Sequence, residues 1–251
     1  MRFAFGPSKH WRLPYCKHEH FVDGPNSSIL TGMTMETSTQ MPFYANTEDD
    51  MRCFQATTRM VLGYFLPERN FDWEELDEMS NHHEGLSTWP QKMLTELAGL
   101  DFDVKLVEGF DGRDFIRRGE QYLIDAFGAE TAQWQIKYSN IDEERQFYQL
   151  AYDRGVNIEN RLPDLDEMAE QLADDYAVIC TVNSRKLNNQ PGYVGHSVVI
   201  LSINDNEVVL HDPGLPPQPE RHVSRELFEQ AWADPNENAK NYIAIKPKEQ
   251  S

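Results

Sequence analysis

The sequence predicts an α+β domain, with helices in its first part and an antiparallel sheet in its last. Three observations predict it. Apolar residues recur at helical spacing as far as about Asp175. After Asp175 the pattern changes to short β-branched runs of strand length. Between the blocks stand punctuating residues, Asp at helix starts and Gly or Pro at helix ends. With 251 residues the chain suits one domain with an appendage.

Residues 1–40 lack periodicity and mix Gly, Pro, Ser, Thr and His. They are expected to be a flexible tail or an over-extended start, with Met33, Met35 and Met41 as alternative first residues. "CKHEH" (Cys16, His18, His20) is a weak metal-binding candidate, lacking the further ligands a folded site supplies. The domain is expected to span 41–251.

From Cys53 onward, Phe54, Val61, Leu62 and Phe65 mark one face of a helix, which Pro67 ends. Asp49 and Asp50 precede it, where carboxylates cap helices. "FDWEELDEMS" carries a capping box from Asp72 to Glu75. In "STWPQKMLTELAG", Thr88 and Pro90 open a helix and Gly99 closes it. "DVKLVEGF" is a short strand. "GRDFIRRGEQYLIDAFG", "IDEERQFYQLAYDRG" and "LPDLDEMAEQLADD" are amphipathic helices, the last opened by Asp164 and Glu167. Four strands follow, "YAVICTVN", "HSVVILSI", "EVVLHD" and "NYIAIKP", interrupted by the helix "SRELFEQAW".

The net charge of −19 weighs against nucleic acid and anionic membrane surfaces as partners. No apolar run nears the ~20 residues that span a bilayer, and the N-terminus shows no continuous signal-peptide core. Three cysteines (Cys16, Cys53, Cys180) form no closed disulfide set and match no zinc spacing. A reducing, cytoplasmic setting is the expectation. No metal or cofactor is expected: "NHHEG" lacks paired ligand spacing, and "GFDG" is a turn, not a phosphate loop. Trp89, Trp134 and Trp232 fit a core as readily as a groove. No pattern in the chain sets its oligomeric state.

One stretch carries chemistry. In "GHSVVILSINDNEVVLHDPG", two strands flank Asn204, Asp205 and Asn206. With these three as the loop, Ile203 opposes Glu207, Val198 opposes Asp212, and His196 opposes Gly214. His196 and Asp212 then share a face as diagonal neighbours, about 7–8 Å apart at the backbone. A two-residue loop would reverse that parity. Such a carboxylate can fix the imidazole's tautomer, as in nucleophilic triads. The plainer alternative is that Asp212 caps "DPG" and His196 bonds a local backbone group. A nucleophile for the pair is Cys53, in the first turn of its helix, where the dipole and Arg52 lower a thiol pKa. Glu48, Asp49 and Asp50 oppose that effect. Cys180 lies in the apolar strand "AVICTV" and fits an inert core thiol. His211, next to Asp212, points to the other face.

"DDMRCFQATTRMVLGYF" together with "GYVGHSVVILSINDNEVVLHDPGLP" resembles the peptidase C39-like group of papain-fold cysteine proteins. The resemblance covers the layout of about 41–246 and is specific in these two blocks. Cys53 and His196 are 143 residues apart, inside the roughly 130–150 of papain-like chains. It implies a papain-like fold, with an N-terminal helical part carrying the Cys53 helix packed on a C-terminal antiparallel sheet. It also implies Cys53 as thiolate nucleophile, His196 as general base and acid, and Asp212 as orienter. The implied activity is a cysteine peptidase or amidohydrolase working through a thioester on a peptide or related amide. The group's Gln, six residues before its Cys, is replaced here by Thr47. Asn46, one residue further upstream, is the substitute oxyanion donor, with the Cys53 N–H as the second. Where the group often has Gly-Pro or Gly-Leu after the Cys, this chain has Phe54-Gln55. Two alternatives follow from those departures and from the shared thioester: a weak or inactive binding and regulatory protein, and a thiol acyltransferase.

Overall fold

The structure is a computed structural model that describes residues 40–249. The expectations for the first 39 residues, including Cys16, His18 and His20, lie outside the described residues. Ten α-helices and seven strands make up the described part. The strands form one sheet in the order β2-β1-β7-β3-β4-β5-β6. Here β1 is Phe102–Glu108, β2 Asn157–Asn160, β3 Ala177–Asn183, β4 Gly195–Ile203, β5 Glu207–Asp212, β6 Gln218–Ser224 and β7 Asn241–Pro247.

The architecture is α+β as expected, but the sheet is mixed. Its second strand, β2, runs parallel to β1, because four helices cross over between the two. These are α4 (Gly112–Arg118), α5 (Glu120–Phe127), α6 (Ala129–Tyr138) and α7 (Ile141–Asp153). Gly119, at φ 55°, makes the corner between α4 and α5. Every other strand pair is antiparallel. The two edge strands, "NIEN" and "QPERHVS", are largely polar. Their sequences show no apolar alternation because edges face water and are kept polar against stray pairing.

Both faces of the sheet are covered. On one, α1 (Cys53–Phe65), α2 (Trp73–Ser80) and α3 (Gln91–Gly99) pack onto Val104, Leu106, Ile179, Val199 and Ile243. On the other, α8 (Leu165–Ala173), α9 (Ser184–Leu187) and α10 (Arg225–Trp232) pack onto Val178, Cys180, Val198, Ile200 and Leu210. A third, aromatic cluster joins Phe110, Phe115, Tyr122 and Tyr148 beyond the end of β1. Helix starts follow the capping expectation at Asp72 and Asp164, whose side chains accept from the Glu75 and Glu167 N–H groups, and Ser224 caps α10 in the same way through the Leu227 N–H.

Two expected caps differ. α3 starts after Pro90, and the Thr88 hydroxyl instead accepts from Gln55 and meets His82. At α1 neither Asp49 nor Asp50 caps the helix. The Asn46 Oδ1 holds its start by accepting from the Arg52 N–H at 2.9 Å and the Thr47 N–H at 2.9 Å. α1 is buried almost all round, from Phe54 to Thr58 and from Met60 to Leu62. Its position on the sheet is therefore set by packing on nearly every face, which fixes where Cys53 emerges.

Candidate active site

The β4–β5 hairpin differs from the three-residue scheme in two ways that cancel. At its tip Ile203 pairs with Val208 and Ser202 with Val209. That pairing alone would shift the register by one and reverse every face. A bulge then falls at Leu201, and beyond it Ile200 pairs with Leu210 and Val199 with His211. One extra residue in the bulged strand restores the parity. His196 and Asp212 consequently meet: His196 Nε2 lies 2.7 Å from Asp212 Oδ1.

Both side chains are enclosed, at 7% and 4% exposure, so the pair is screened little by solvent. Asp212 is fully engaged. Its Oδ1 also accepts the Gly214 N–H at 3.0 Å, and its Oδ2 accepts from Arg221 Nη1 at 2.7 Å. The carboxylate thus caps "DPG" and orients the imidazole at once. Burial works against its charge, but His196, Gly214 and Arg221 hold its pKa down at about 2. Arg221 is anchored in turn by the Leu187 carbonyl at 2.8 Å and Asn188 Oδ1 at 3.0 Å. Arg221 sits on β6, the polar edge strand, so nothing in the sequence pattern pointed to it.

With Nε2 taken by Asp212, Nδ1 is the ring nitrogen that this carboxylate leaves open, and Cys53 lies close enough to His196 for each to shift the other's pKa. Cys53 arrives from the first turn of α1 and is partly buried. Burial pushes its thiol pKa up, but His196 and the backbone and hydroxyl of Ser197 outweigh that and hold it below the usual value. Burial likewise opposes a charged imidazole, yet Asp212 and Cys53 raise the His196 pKa well above that of a free histidine. These opposite shifts favour a thiolate–imidazolium pair. Ser197, the neighbour of His196 on β4, lines the same cavity and helps to lower the thiol's pKa, which its sequence position did not announce.

Asn46 is placed differently from expectation. Its Nδ2 donates to Asp50 Oδ1 at 2.8 Å, its Oδ1 faces the loop backbone, and its own N–H bonds the Pro213 carbonyl at 2.8 Å. It ties the cysteine loop to the "DPG" turn and does not line the cavity at Cys53. The Gln55 amide is directed at Ser80 and Thr88, 3.2 Å from each. The Cys53 N–H, at the first helical position, has no intrahelical acceptor.

Other candidates have structural places. Cys180 is buried in the sheet core, and burial pushes its thiol pKa up. His211 is also buried; it accepts from the Glu220 N–H at 3.1 Å, bonds the Met41 carbonyl at 3.2 Å and packs edge-on against Phe43. His83 pairs with Glu143 at 2.9 Å on the surface. Among the described residues no cluster of His, Cys, Asp or Glu is placed to hold a metal ion. No helix among them is long and apolar enough to cross a membrane.

Cys53 and His196 open onto a cavity of about 440 Å³ that runs along the sheet end past Thr181 and Asn241 to Glu108. Trp89 and Trp134 line it, whereas Trp232 belongs to the core.

The fold is similar to that of solved C39 peptidase domains. The peptidase domain of Streptococcus ComA, a bi-functional ABC transporter involved in a quorum-sensing pathway, aligns with 83% of this chain and 100% of its own, at 12% identity and a TM-score of 0.45. A C39-like peptidase from Bacillus anthracis aligns with 84% of this chain and 98% of its own, at 14% identity and a TM-score of 0.42. No family model matches the chain, and no curated protein matches it.

Proposed function

We propose that this protein is a cysteine-dependent hydrolase of peptides or related amides, with Cys53 as nucleophile. The observation that carries the reading is the position of His196, hydrogen-bonded to a buried carboxylate and lining the same cavity as Cys53. Cys53, as thiolate, attacks the substrate carbonyl carbon, and the C=O π electrons move onto oxygen. The Cys53 N–H at the helix start supports that oxyanion. His196 then gives its Nδ1 proton to the leaving amine as the C–N bond breaks, leaving a thioester. Water attacks the thioester, His196 accepts its proton, and the acid and free thiolate are regenerated. Asp212 fixes the ring through Nε2 in both halves, and Arg221 fixes Asp212.

A second reading has its own observation. The Asn46 amide holds the cysteine loop and is not aimed at the cavity, so Asn46 does not supply the second oxyanion donor. Loss of one such donor costs roughly 10²–10³ in rate. A slow hydrolase, or a binding protein with a reactive thiol, fits that arrangement.

The test is turnover of a mixed peptide library, with mass spectrometry for an acyl adduct on Cys53. Turnover that Cys53→Ala abolishes, with an adduct mapped to Cys53, is the expected result. Folded wild-type protein that neither cleaves nor acylates leaves the binding reading and overturns this one.

A further inference from the structure

The far end of the cavity has a chemistry that the triad does not use. Three carboxyl groups line the cavity: Asp50 in the cysteine loop, and Glu108 and Asp234. Among the described residues no Lys or Arg lines it, and none of the three carboxyls pairs with a cation. Asp50 accepts from Asn46 at 2.8 Å and Asp234 from Asn183 at 3.1 Å, both neutral amides. Glu108 is only 6% exposed, and its one side-chain partner is the Tyr148 hydroxyl, 3.1 Å and 3.3 Å from its two oxygens. The nearby cations are engaged elsewhere: Arg113 lies over the Tyr152 ring, and Arg161 pairs with Glu159 and Glu167. A second observation is independent of charge. Gln91, fully buried in the cavity wall, has neither amide atom partnered, and Gln55 Oε1 also lacks a donor. Aromatic rings, among them Trp89, Trp134 and Tyr193, also line the wall.

Carboxyls without cations, amide groups without partners, and aromatic rings are together complementary to a cationic group on a peptide. We infer that this cavity is a specificity subsite for a basic side chain, Lys or Arg, of the peptide substrate, with Glu108 as its anionic anchor. The inference rests on the hydrolase reading for the site at Cys53. His196, cationic when active, keeps the basic group away from the catalytic end and toward Glu108. Distance fits as well. From β4, which carries His196, to β1, which carries Glu108, the sheet crosses β3 and β7. Three steps of ~4.8 Å make roughly 14 Å. A substrate strand rising ~3.3 Å per residue delivers a long basic side chain there from a position two or three residues from the scissile carbonyl. Burial, with the nearby Asp111, raises the Glu108 pKa to about 8 despite the Tyr148 bond, so the empty site holds a neutral acid at pH 7. An arriving ammonium or guanidinium ionises it, and the carboxyl proton passes to the buffer.

Two measurements test this. Peptides that carry Lys or norleucine, and Arg or citrulline, at successive positions are compared as substrates; the basic member is expected to win by about tenfold in kcat/KM at one position. The winning peptide is then titrated calorimetrically into Cys53→Ala at pH 7. Its binding enthalpy is expected to vary with the buffer's ionisation enthalpy, by up to one proton released. Glu108→Gln is expected to abolish that release and the basic preference. Equal turnover of basic and neutral peptides overturns the subsite and leaves the hydrolase reading intact. Basic-selective binding to Cys53→Ala without turnover by wild type keeps the subsite and overturns the hydrolase.

Discussion

Asp212 shows how closely one residue's partners define the site. Its two oxygens serve three donors, and the donor bonded to its side chain from the turn belongs to Gly214. A Cβ placed on Gly214 would lie 3.0 Å from Asp212 Oδ1 and 3.3 Å from His196 Nε2. Gly214→Ala therefore presses on the histidine–aspartate bond without touching the core. We expect kcat/KM to fall about 10–10²-fold with the melting temperature within a few degrees of wild type; an unchanged kcat/KM would show that the pair tolerates displacement. Asp212→Ala removes the orienting acceptor altogether and leaves Arg221 unpaired. A loss of about 10²-fold or more in kcat/KM is expected, together with a Cys53 alkylation pKa displaced upward. Glu108 gives the residue scale its pH dependence. Its folded pKa is about 8 against 4.5 for the free carboxyl. Between those values the folded state holds a proton that the unfolded state has lost, so stability falls as pH rises through that window, by up to about 1.4 kcal/mol per pH unit. Glu144, raised to about 8 by burial and by Glu143, contributes in the same direction. Denaturation of Glu108→Gln across pH 5–8 should show a shallower decline than wild type; parallel curves would contradict the buried neutral acid.

At the scale of elements, the site depends on two segments, the loop before α1 and the turn after β5. Asn46 binds the cysteine loop to α1 through the Arg52 N–H and to the "DPG" turn through the Pro213 carbonyl. Asn46→Ala is expected to cost about 1 kcal/mol, the scale of a lost helix cap, measured by chemical denaturation. If Asn46 were instead an oxyanion donor, activity would drop with stability unchanged. The hairpin explains how far the sequence could be read. Residue types, order and β-branched runs made the meeting of His196 with Asp212, beside the cavity that Cys53 also lines, legible. The register was legible only in its outcome. The Leu201 bulge that restores parity has no side-chain signature, since Leu201 is as suitable for a regular strand as for a bulge. Arg221 and Ser197 were not legible because their roles arise from pairing across strands: β6 carries too little apolar alternation to be recognised, and Ser197 acts through its backbone as well as its hydroxyl. Asn46 was legible as a polar residue near the cysteine, but its partners are local backbone groups, which spacing alone does not reveal.

Across the whole molecule, a sheet covered on both faces places four strand ends in a row, and the cavity follows that row from His196 on β4 to Glu108 on β1. The helical crossover between β1 and β2 brings Tyr148 and the aromatic cluster to the far end. The division between a C-terminal acid–base arm and an N-terminal thiol helix was legible in the order of the elements. The mixed sheet was not, because the parallel partner of β1 is a four-residue polar strand. The central claim is that this architecture turns Cys53 and His196 into an ion pair. The most direct measurement is the pH dependence of Cys53 alkylation by iodoacetamide, mapped by mass spectrometry, in wild type and in His196→Ala. The account predicts a thiolate that persists well below the pKa of about 8.5 of a free cysteine, with a return toward that value in His196→Ala. A wild-type Cys53 that titrates at or above the free value, unmoved by loss of His196, would contradict it.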